Sequence, residues 1–347
     1  MTVKTFFIAV GALIIFLSPY SEIPAQNKIK VAPPDYGVYT GIYPAFSWTE
    51  DSVNIIKMIE YTALATKKPA IIYFSNNWMN KIVFPEQSIK DIIKFGSVPY
   101  IRFMPRSGFT QDKSDDVWTT QKIVDGVYDY DLKIWADGAK MINSAMMLEF
   151  APEMNGNWFP WSGLFNNKDP ELYKKAYRHV VDLFRNAGVE NITYVFHVNG
   201  ITWPVEPWNT KQNYYPGDDY VDWIGVSVYG SQFPGTGWTE FTDVLDKSYD
   251  EVCKLSPNKP LCISEFAVIE DKAKGSKADW VKKAYGSIKN NKYPRIKMLC
   301  YWSSSWTNAD GSFSTTRIDS SPETLEIFRG VFSDPFFLDK AKVVRYD

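Results

Sequence analysis

The sequence predicts an α/β fold of the (β/α)8 TIM-barrel class, organised as a single domain. Short apolar runs typical of buried strands alternate with longer segments whose apolar residues recur at helical spacing. Eight such strand-like runs occur, and no composition shift or linker divides the chain. Alternating strands and helices favour a parallel sheet, and about 320 residues in eight units fit a closed barrel better than an open sheet.

The first residues have the pattern of a secretory signal peptide. Lys4 precedes an apolar run from Phe6 to Leu17, which suits a signal core and is short for a membrane span. We expect a signal peptide over residues 1–26, with cleavage near Ala25, and a barrel domain over residues 27–347. The mature protein would then be secreted or periplasmic, without a membrane span; an uncleaved anchor is the alternative.

The strands are predicted from apolar, β-branched and aromatic runs of about six residues. They lie at 36–43, 69–74, 98–104, 146–150, 193–197, 220–229, 261–264 and 296–302. The helices follow from apolar residues at three- and four-residue spacing, at 52–66, 87–95, 130–143, 170–187, 239–255, 277–288 and 322–331. The helix at 170–187 has the clearest limits, because Asp169 can cap it, Pro170 suits its first turn and Gly188 ends it.

Charge and residue usage exclude several classes of function. A formal net charge of −2 gives no field that would attract nucleic acid or an anionic membrane. No glycine-rich loop follows a strand, so no nucleotide cofactor is expected. The two histidines argue against a histidine-built metal centre; His179 fits a helix face, and His197 ends a strand. Cys253, Cys262 and Cys300 lack metal-type spacing, and a disulfide between the last two stays open.

Two strand ends carry carboxylates in surroundings suited to sugar chemistry. Glu153 follows the fourth strand in MMLEFAPEMNGNWFPWSG, among amides that can read hydroxyls and indoles that can stack on pyranose rings. Glu265 ends the seventh strand in KPLCISEF. The fourth and seventh strand ends face each other across a barrel mouth, and carboxylates about 5 Å apart there support a retaining double displacement. The alternative is that each is a strand-end acid paired with an arginine.

Three strings together resemble glycoside hydrolase family 26, in the right order along the mature chain: EMNGNWFPWSG, YPGDDYVDWIGVSVYG and KPLCISEF. The resemblance implies a retaining (β/α)8 hydrolase with Glu153 as acid/base and Glu265 as nucleophile. It further implies substrate-binding roles for a tyrosine that contacts the nucleophile, an aromatic floor, an indole lining the cleft and an asparagine closing the fifth strand. These are Tyr229, Trp302, Trp158 and Asn199.

The same resemblance implies a secreted endo-β-glycanase that acts on a polysaccharide or oligosaccharide. β-1,4-Mannan is the favoured substrate, with β-1,3/1,4-glucan or β-1,3-xylan as alternatives, and a monomer without cofactor or metal is expected. A non-catalytic carbohydrate-binding protein on a degenerate barrel is the competing hypothesis, and a metal-dependent barrel enzyme has the least support. Weaker candidates for ligand contact are Trp203, Trp208, Trp238, Tyr39 and Tyr43.

Two positions depart from the family pattern. Members commonly place a histidine before the acid/base and an arginine three residues earlier, where this chain has Pro152 and Glu149. A buried, unpaired acid costs several kcal/mol, so we expect Arg102 or Arg106 to supply the missing guanidinium from the neighbouring strand. The alternative is that Glu149 points outward and reaches solvent.

Overall fold

The chain folds as a closed (β/α)8 barrel, as predicted. The computed structural model describes Met1 and residues 28–47 and 49–346, so the signal peptide expected at 1–26 lies outside the described residues except for Met1. All neighbouring barrel strands pair in parallel, and the first pairs with the last to close the barrel. The strands are β1 Val38–Tyr43, β2 Ile71–Asn77, β3 Val98–Met104, β4 Met146–Phe150, β5 Ile192–Asn199, β6 Trp223–Tyr229, β7 Leu261–Ala267 and β8 Ile296–Trp302.

Seven helices occupy the predicted positions, six of them between these strands and one after β8. They are Ile55–Ala65, Glu86–Phe95, Asp129–Lys140, Pro170–Asn186, Phe241–Leu255, Lys277–Lys289 and Pro322–Ser333. The cap predicted at Asp169 is confirmed, since its side chain accepts a hydrogen bond from the backbone N–H of Glu171. Two short helices, Thr120–Val124 and Lys211–Tyr214, were not predicted. Over the described residues, no helix has the length and apolar character needed to cross a membrane.

Several strands run further than their apolar runs suggested. β7 continues from Ser264 to Ala267, so Glu265 lies within the strand instead of at its end. β5 likewise continues to Asn199, and the polar residues His197 and Asn199 alternate there with Val198. The apolar pattern fails at these ends because the side chains there point into a polar barrel mouth. The strand pairing itself continues to the rim.

Polar side chains line the upper interior of the barrel at matched heights. Tyr73 on β2 stands opposite Tyr100 on β3, and Ser75 stands opposite Arg102. Arg102 in turn pairs in register with Glu149 on β4. Parallel barrels stack inward-pointing side chains in layers, so these neighbours meet inside the barrel.

Short strands outside the barrel complete the fold. Lys28–Ala32 pairs antiparallel with Lys342–Tyr346. Val31 of this pair receives a 3.0 Å hydrogen bond on its carbonyl from the Trp223 indole, at the start of β6. The pair therefore covers the amino-terminal ends of the strands, opposite the mouth. A hairpin of Ser305–Thr307 and Phe313–Thr315 follows β8, and Phe337–Leu338 lies beside β1.

The cysteines are free thiols. Cys262 and Cys300 lie on adjacent strands β7 and β8 and are fully buried, yet no disulfide joins them. The disulfide between Cys262 and Cys300 that the sequence left open is therefore absent, and both residues are buried thiols.

Candidate active site

A cleft of roughly 1110 Å³ opens at the carboxyl ends of the barrel strands. Its walls combine carboxylates, arginines and aromatic rings, which is the lining expected of a carbohydrate site. All six site residues predicted from the sequence line this one cleft: Glu153, Trp158, Asn199, Tyr229, Glu265 and Trp302. The fold thus brings together residues from the ends of five different strands.

Glu265 is held by donors on both of its oxygens. The Tyr229 hydroxyl donates to Oε2 at 2.7 Å, and the Tyr73 hydroxyl donates to Oε1 at 2.9 Å. Arg102 Nε lies 3.1 Å from Oε1. Burial raises the pKa of Glu265 to about 6, with Arg102 opposing this and the Glu153 charge adding to it. Glu265 is therefore an ionised carboxylate at neutral pH, fixed in one orientation at the cleft floor.

Glu153 follows β4 on a backbone in the left-handed region. Its φ is 57°, and that of Ala151 is 47°, conformations that cost free energy for residues other than glycine. The Glu153 N–H donates to the carbonyl of His197 on β5 at 2.9 Å, which fixes this turn to the barrel. The Trp158 indole donates to Glu153 Oε2 at 3.0 Å. Glu153 thus reaches the cleft from a constrained loop, in contact with the ring of Trp158.

Gly156 explains how Trp158 comes so close to its own loop. A Cβ at position 156 would lie 2.4 Å from the six-membered ring of the indole. Only glycine leaves room for the ring to fold over the backbone and direct its N–H to Glu153. Packing within the loop therefore explains why the motif has glycine at position 156, two residues before Trp158.

Trp302 forms the aromatic part of the cleft floor. Its ring stacks on Tyr43 with centroids 4.0 Å apart and an interplanar angle of 23°. The guanidinium carbon of Arg102 lies 5.3 Å from the Trp302 ring centroid. The indole is half-buried, supported on one side and open to the cleft. Asn199 sits at the end of β5, where its Nδ2 donates to the Ile201 carbonyl at 2.7 Å.

The predicted charge exchange between β3 and β4 is confirmed. Arg102 Nε lies 3.5 Å from Glu149 Oε1, while Arg102 also contacts Glu50 at 3.0 Å. Glu149 is completely buried, so the alternative that it reaches solvent is wrong. Arg106 does not serve Glu149. It pairs with Glu50 at 3.6 Å and donates to Asn77.

His197 is a second partner of Glu149. Its Nδ1 lies 2.9 Å from Glu149 Oε2, and its Nε2 lies 2.7 Å from the Ser227 hydroxyl. Burial alone would lower the pKa of His197, but the Glu149 carboxylate outweighs burial and raises it. Burial likewise would raise the pKa of Glu149, but His197 and Arg102 hold it below its usual value. The two residues form a buried hydrogen-bonded pair beneath the cleft, in which each favours the charged form of the other.

One group of potential metal ligands occurs within the described ranges. Ligand atoms of Glu149, His197 and Glu265 all lie within 4.8 Å of one another. The Arg102 guanidinium sits beside both carboxylates, so a divalent cation placed there would meet a positive charge. Arg102 thus supplies the positive charge that a metal would otherwise provide beside these carboxylates.

The sequence did not identify Tyr73, Tyr100 and Glu50 as site residues. Tyr73 and Tyr100 stand inside apolar runs, where an aromatic residue resembles core. The available signal was the alternation of polar and apolar residues along β2 and β3, since Tyr73 and Ser75, like Tyr100 and Arg102, share the inward face. Among the weaker candidates, Tyr43 and Trp203 line the cleft. The cleft lining does not include Tyr39, Trp208 or Trp238.

Comparison with known families decides the assignment. The model of glycosyl hydrolase family 26 matches residues 110–307, which is more than half of the chain and includes both carboxylates. This chain belongs to glycosyl hydrolase family 26. The resemblance seen in the three sequence strings is therefore confirmed.

The chain is similar to an endoglucanase and to a mannan endo-1,4-beta-mannosidase. Endoglucanase H of Acetivibrio thermocellus is 29% identical over 290 residues, which are 82% of this chain and 29% of that protein. Mannan endo-1,4-beta-mannosidase of Bacillus subtilis is 32% identical over 180 residues, 48% of this chain and 42% of that protein. The chain thus spans less than half the length of either relative.

A solved structure shows the same fold. The catalytic domain of the Bacillus sp. JAMB-750 family 26 endo-beta-1,4-mannanase superposes with a TM-score of 0.64 at 19% identity, covering 87% of each chain. At this identity the similarity supports the barrel architecture alone.

Proposed function

We propose that this family 26 chain is a retaining endo-β-glycanase with Glu265 as nucleophile and Glu153 as acid/base. The contrast between the two carboxylates in one cleft carries the proposal. Glu265 is buried under two hydroxyl donors and a guanidinium, which stabilise an anion in a fixed orientation. Glu153 projects from a loop and contacts a single indole donor, as suits a group that gives and takes a proton.

The proposed reaction has two balanced steps. Glu265 Oε attacks the anomeric carbon as the glycosidic C–O bond breaks, and Glu153 gives its proton to the departing oxygen. Glu153, now a carboxylate, then takes a proton from a water molecule that attacks the anomeric carbon. The ester bond to Glu265 breaks with its electron pair returning to the carboxylate, so the product keeps the β configuration.

Two aromatic residues distinguish the two ends of the proposed substrate cleft. Trp302, beside Arg102 and Tyr43, offers a flat face for the sugar ring that becomes attached to Glu265. Trp158, bonded to Glu153, lies on the side where the leaving sugar departs. We assign Tyr229 to orienting Glu265 and Asn199 to contact with the bound sugar.

The substrate proposal has two candidates. β-1,4-Mannan is favoured by the motif resemblance and by the mannosidase relative of Bacillus subtilis. A β-glucan is the alternative, because the endoglucanase relative matches 82% of this chain. The family resemblance also implies that Pro152 replaces a histidine that contacts the bound sugar, which leaves the choice of sugar open. Proline has no side-chain donor, so that contact is lost.

A substrate panel tests the proposal. Reducing-end release should be measured on β-1,4-mannan, mixed-linkage β-glucan, β-1,3-xylan and β-1,4-xylan, with product lengths followed over time. We expect internal cleavage of mannan or glucan and β-anomeric products by NMR. Binding to these polymers without any hydrolysis would instead support the non-catalytic carbohydrate-binding hypothesis.

We also propose that the protein acts outside the cytoplasm, because the pattern at residues 1–26 is that of a signal peptide. Amino-terminal sequencing of protein recovered from the medium or periplasm tests this. A mature chain beginning near Gln26 is expected, and retention of the full segment in a membrane fraction would argue for an uncleaved anchor.

A further inference from the structure

A single hydroxyl lies between two buried carboxylates beneath the cleft. The Tyr73 hydroxyl on β2 lies 2.5 Å from Oε1 of Glu149 and 2.9 Å from Oε1 of Glu265, and it can donate to either. Tyr73 is fully buried, so water cannot stand in for it. A phenol has one proton, which can bond well to only one of the two acceptors at a time. Tyr73 therefore has two alternative hydrogen bonds.

We propose that the Tyr73 hydroxyl, which Glu149 and Glu265 share in the free protein, bonds to Glu149 alone when Glu265 becomes bonded to the sugar, and is shared again as Glu265 leaves. Glu149 is then a positioning residue: it contacts no substrate and acts through Tyr73. This inference rests on the retaining mechanism proposed above.

Glu149 is suited to be the second acceptor because other groups keep it ionised throughout. Tyr100 donates to its Oε2 at 2.6 Å, and His197 Nδ1 lies 2.9 Å from the same oxygen. Arg102 Nε is 3.5 Å from Oε1. When Tyr73 donates its hydrogen bond to Glu265 instead, Glu149 is thus not left as an unpaired buried charge.

The charge on Glu265 changes during the reaction, while that on Glu149 does not. In the first step a Glu265 oxygen bonds to the anomeric carbon, and the leaving oxygen takes its proton from Glu153. An ester oxygen is a weaker acceptor than a carboxylate, so Tyr73 then bonds better to Glu149. In the second step the electron pair returns to Glu265 as the ester breaks, and Tyr73 stabilises the restored anion.

The two residues should therefore affect opposite half-reactions. Tyr73→Phe removes the donor that stabilises departing Glu265, so hydrolysis of the ester slows about tenfold, the value of a hydrogen bond to a charged group. Glu149→Gln removes the competing anion, so Tyr73 stays on Glu265 and weakens it as a nucleophile. Formation of the ester then slows about tenfold while its hydrolysis is unchanged.

The experiment measures each half-reaction directly. 2,4-Dinitrophenyl 2-deoxy-2-fluoro-β-cellobioside and its manno-configured counterpart trap the ester, and intact-protein mass spectrometry follows its formation and its decay. With an ordinary aryl glycoside, Tyr73→Phe should show a burst and lower kcat and KM together.

Tyr177→Phe is the matched control, because it removes a buried hydroxyl without a hydrogen-bond partner in the described structure. Its two rates should equal those of the parent protein.

The outcomes separate this inference from the proposed function. No adduct on the parent protein, together with no turnover of the substrate panel, would reject the proposed function itself. If the adduct forms but decays on the Tyr73→Phe variant at the same rate as on the parent protein, the shared-hydroxyl proposal is wrong. Equal slowing of both steps in both variants would also overturn it, because that result indicates general disruption of the site. Should Glu149→Gln fail to fold, Tyr73→Phe alone still decides.

Discussion

The two carboxylates of the cleft are held by different kinds of structure. Glu265 lies within β7, where Tyr73, Tyr229 and Arg102 reach it from three other strands. Glu153 lies beyond β4 on a loop with positive φ and is contacted by an indole from that same loop. The proposed nucleophile is thus fixed by the barrel, whereas the proposed proton donor is positioned by a local turn.

The largest effects are expected when each carboxylate is removed in turn. Glu265→Ala should lower kcat by about 10⁵-fold on every substrate, because it removes the proposed nucleophile. Glu153→Ala should lower it by about 10²- to 10⁴-fold on polysaccharide but much less on aryl glycosides whose leaving group needs no proton. Azide should rescue Glu153→Ala and yield a β-glycosyl azide, measured by NMR. The reverse pattern in the two variants would exchange the assigned roles.

The next largest effect is expected from replacing Arg102, because its guanidinium lies beside the buried carboxylates of Glu149 and Glu265. Arg102→Met leaves Glu149 and Glu265 facing each other without the guanidinium, and we expect about 3–5 kcal/mol lower unfolding free energy in urea. Arg102→Met combined with Glu149→Met removes both partners and should recover much of that loss. Stability equal to that of the parent protein in the single variant would show that Arg102 does not carry this pairing.

The pH dependence of kcat/KM should report the environment of Glu265. Its pKa is raised to about 6, and the nucleophile must be ionised, so kcat/KM should fall as pH drops through about 6. Tyr229→Phe removes a donor to the anion, which raises this pKa further and moves the acid limb to higher pH. A limb near pH 4.5, unchanged in Tyr229→Phe, would contradict the assignment of Glu265.

The smallest effect is expected at Trp158. Trp158→Phe keeps an aromatic ring but removes the N–H that contacts Glu153 at 3.0 Å, so kcat should fall about tenfold or less, without a change in the acid limb set by Glu265. Gly156→Ala should resemble it, since a Cβ there would displace the indole. A shift of the Glu265 limb in either variant would mean that the loop and the barrel are coupled.

The barrel and most of its elements could be predicted because burial imposes regular periods on sequence. β3 and β8 have the predicted bounds, and the helix Pro170–Asn186 begins at its predicted cap. The pairing of Arg102 with Glu149 was predictable as well, since adjacent parallel strands place both residues inside the barrel.

Other features depended on contacts that periodicity does not encode. Tyr73 stands in an apolar run, and its role depends on which carboxylates the closed barrel brings to its hydroxyl. The pair of Lys28–Ala32 with Lys342–Tyr346 joins segments from the two ends of the barrel domain, and charged residues interrupt the apolar residues of each. Such long-range pairings are decided by tertiary packing.

That terminal pair also has a consequence for engineering. Lys28 stands opposite Tyr346 in register, on the face away from the cleft. A short peptide linker could join these two positions, and new ends could then be opened in a surface loop of the circularly permuted protein. A binding module or an immobilisation tag attached at either position would leave the cleft free for a long polymer.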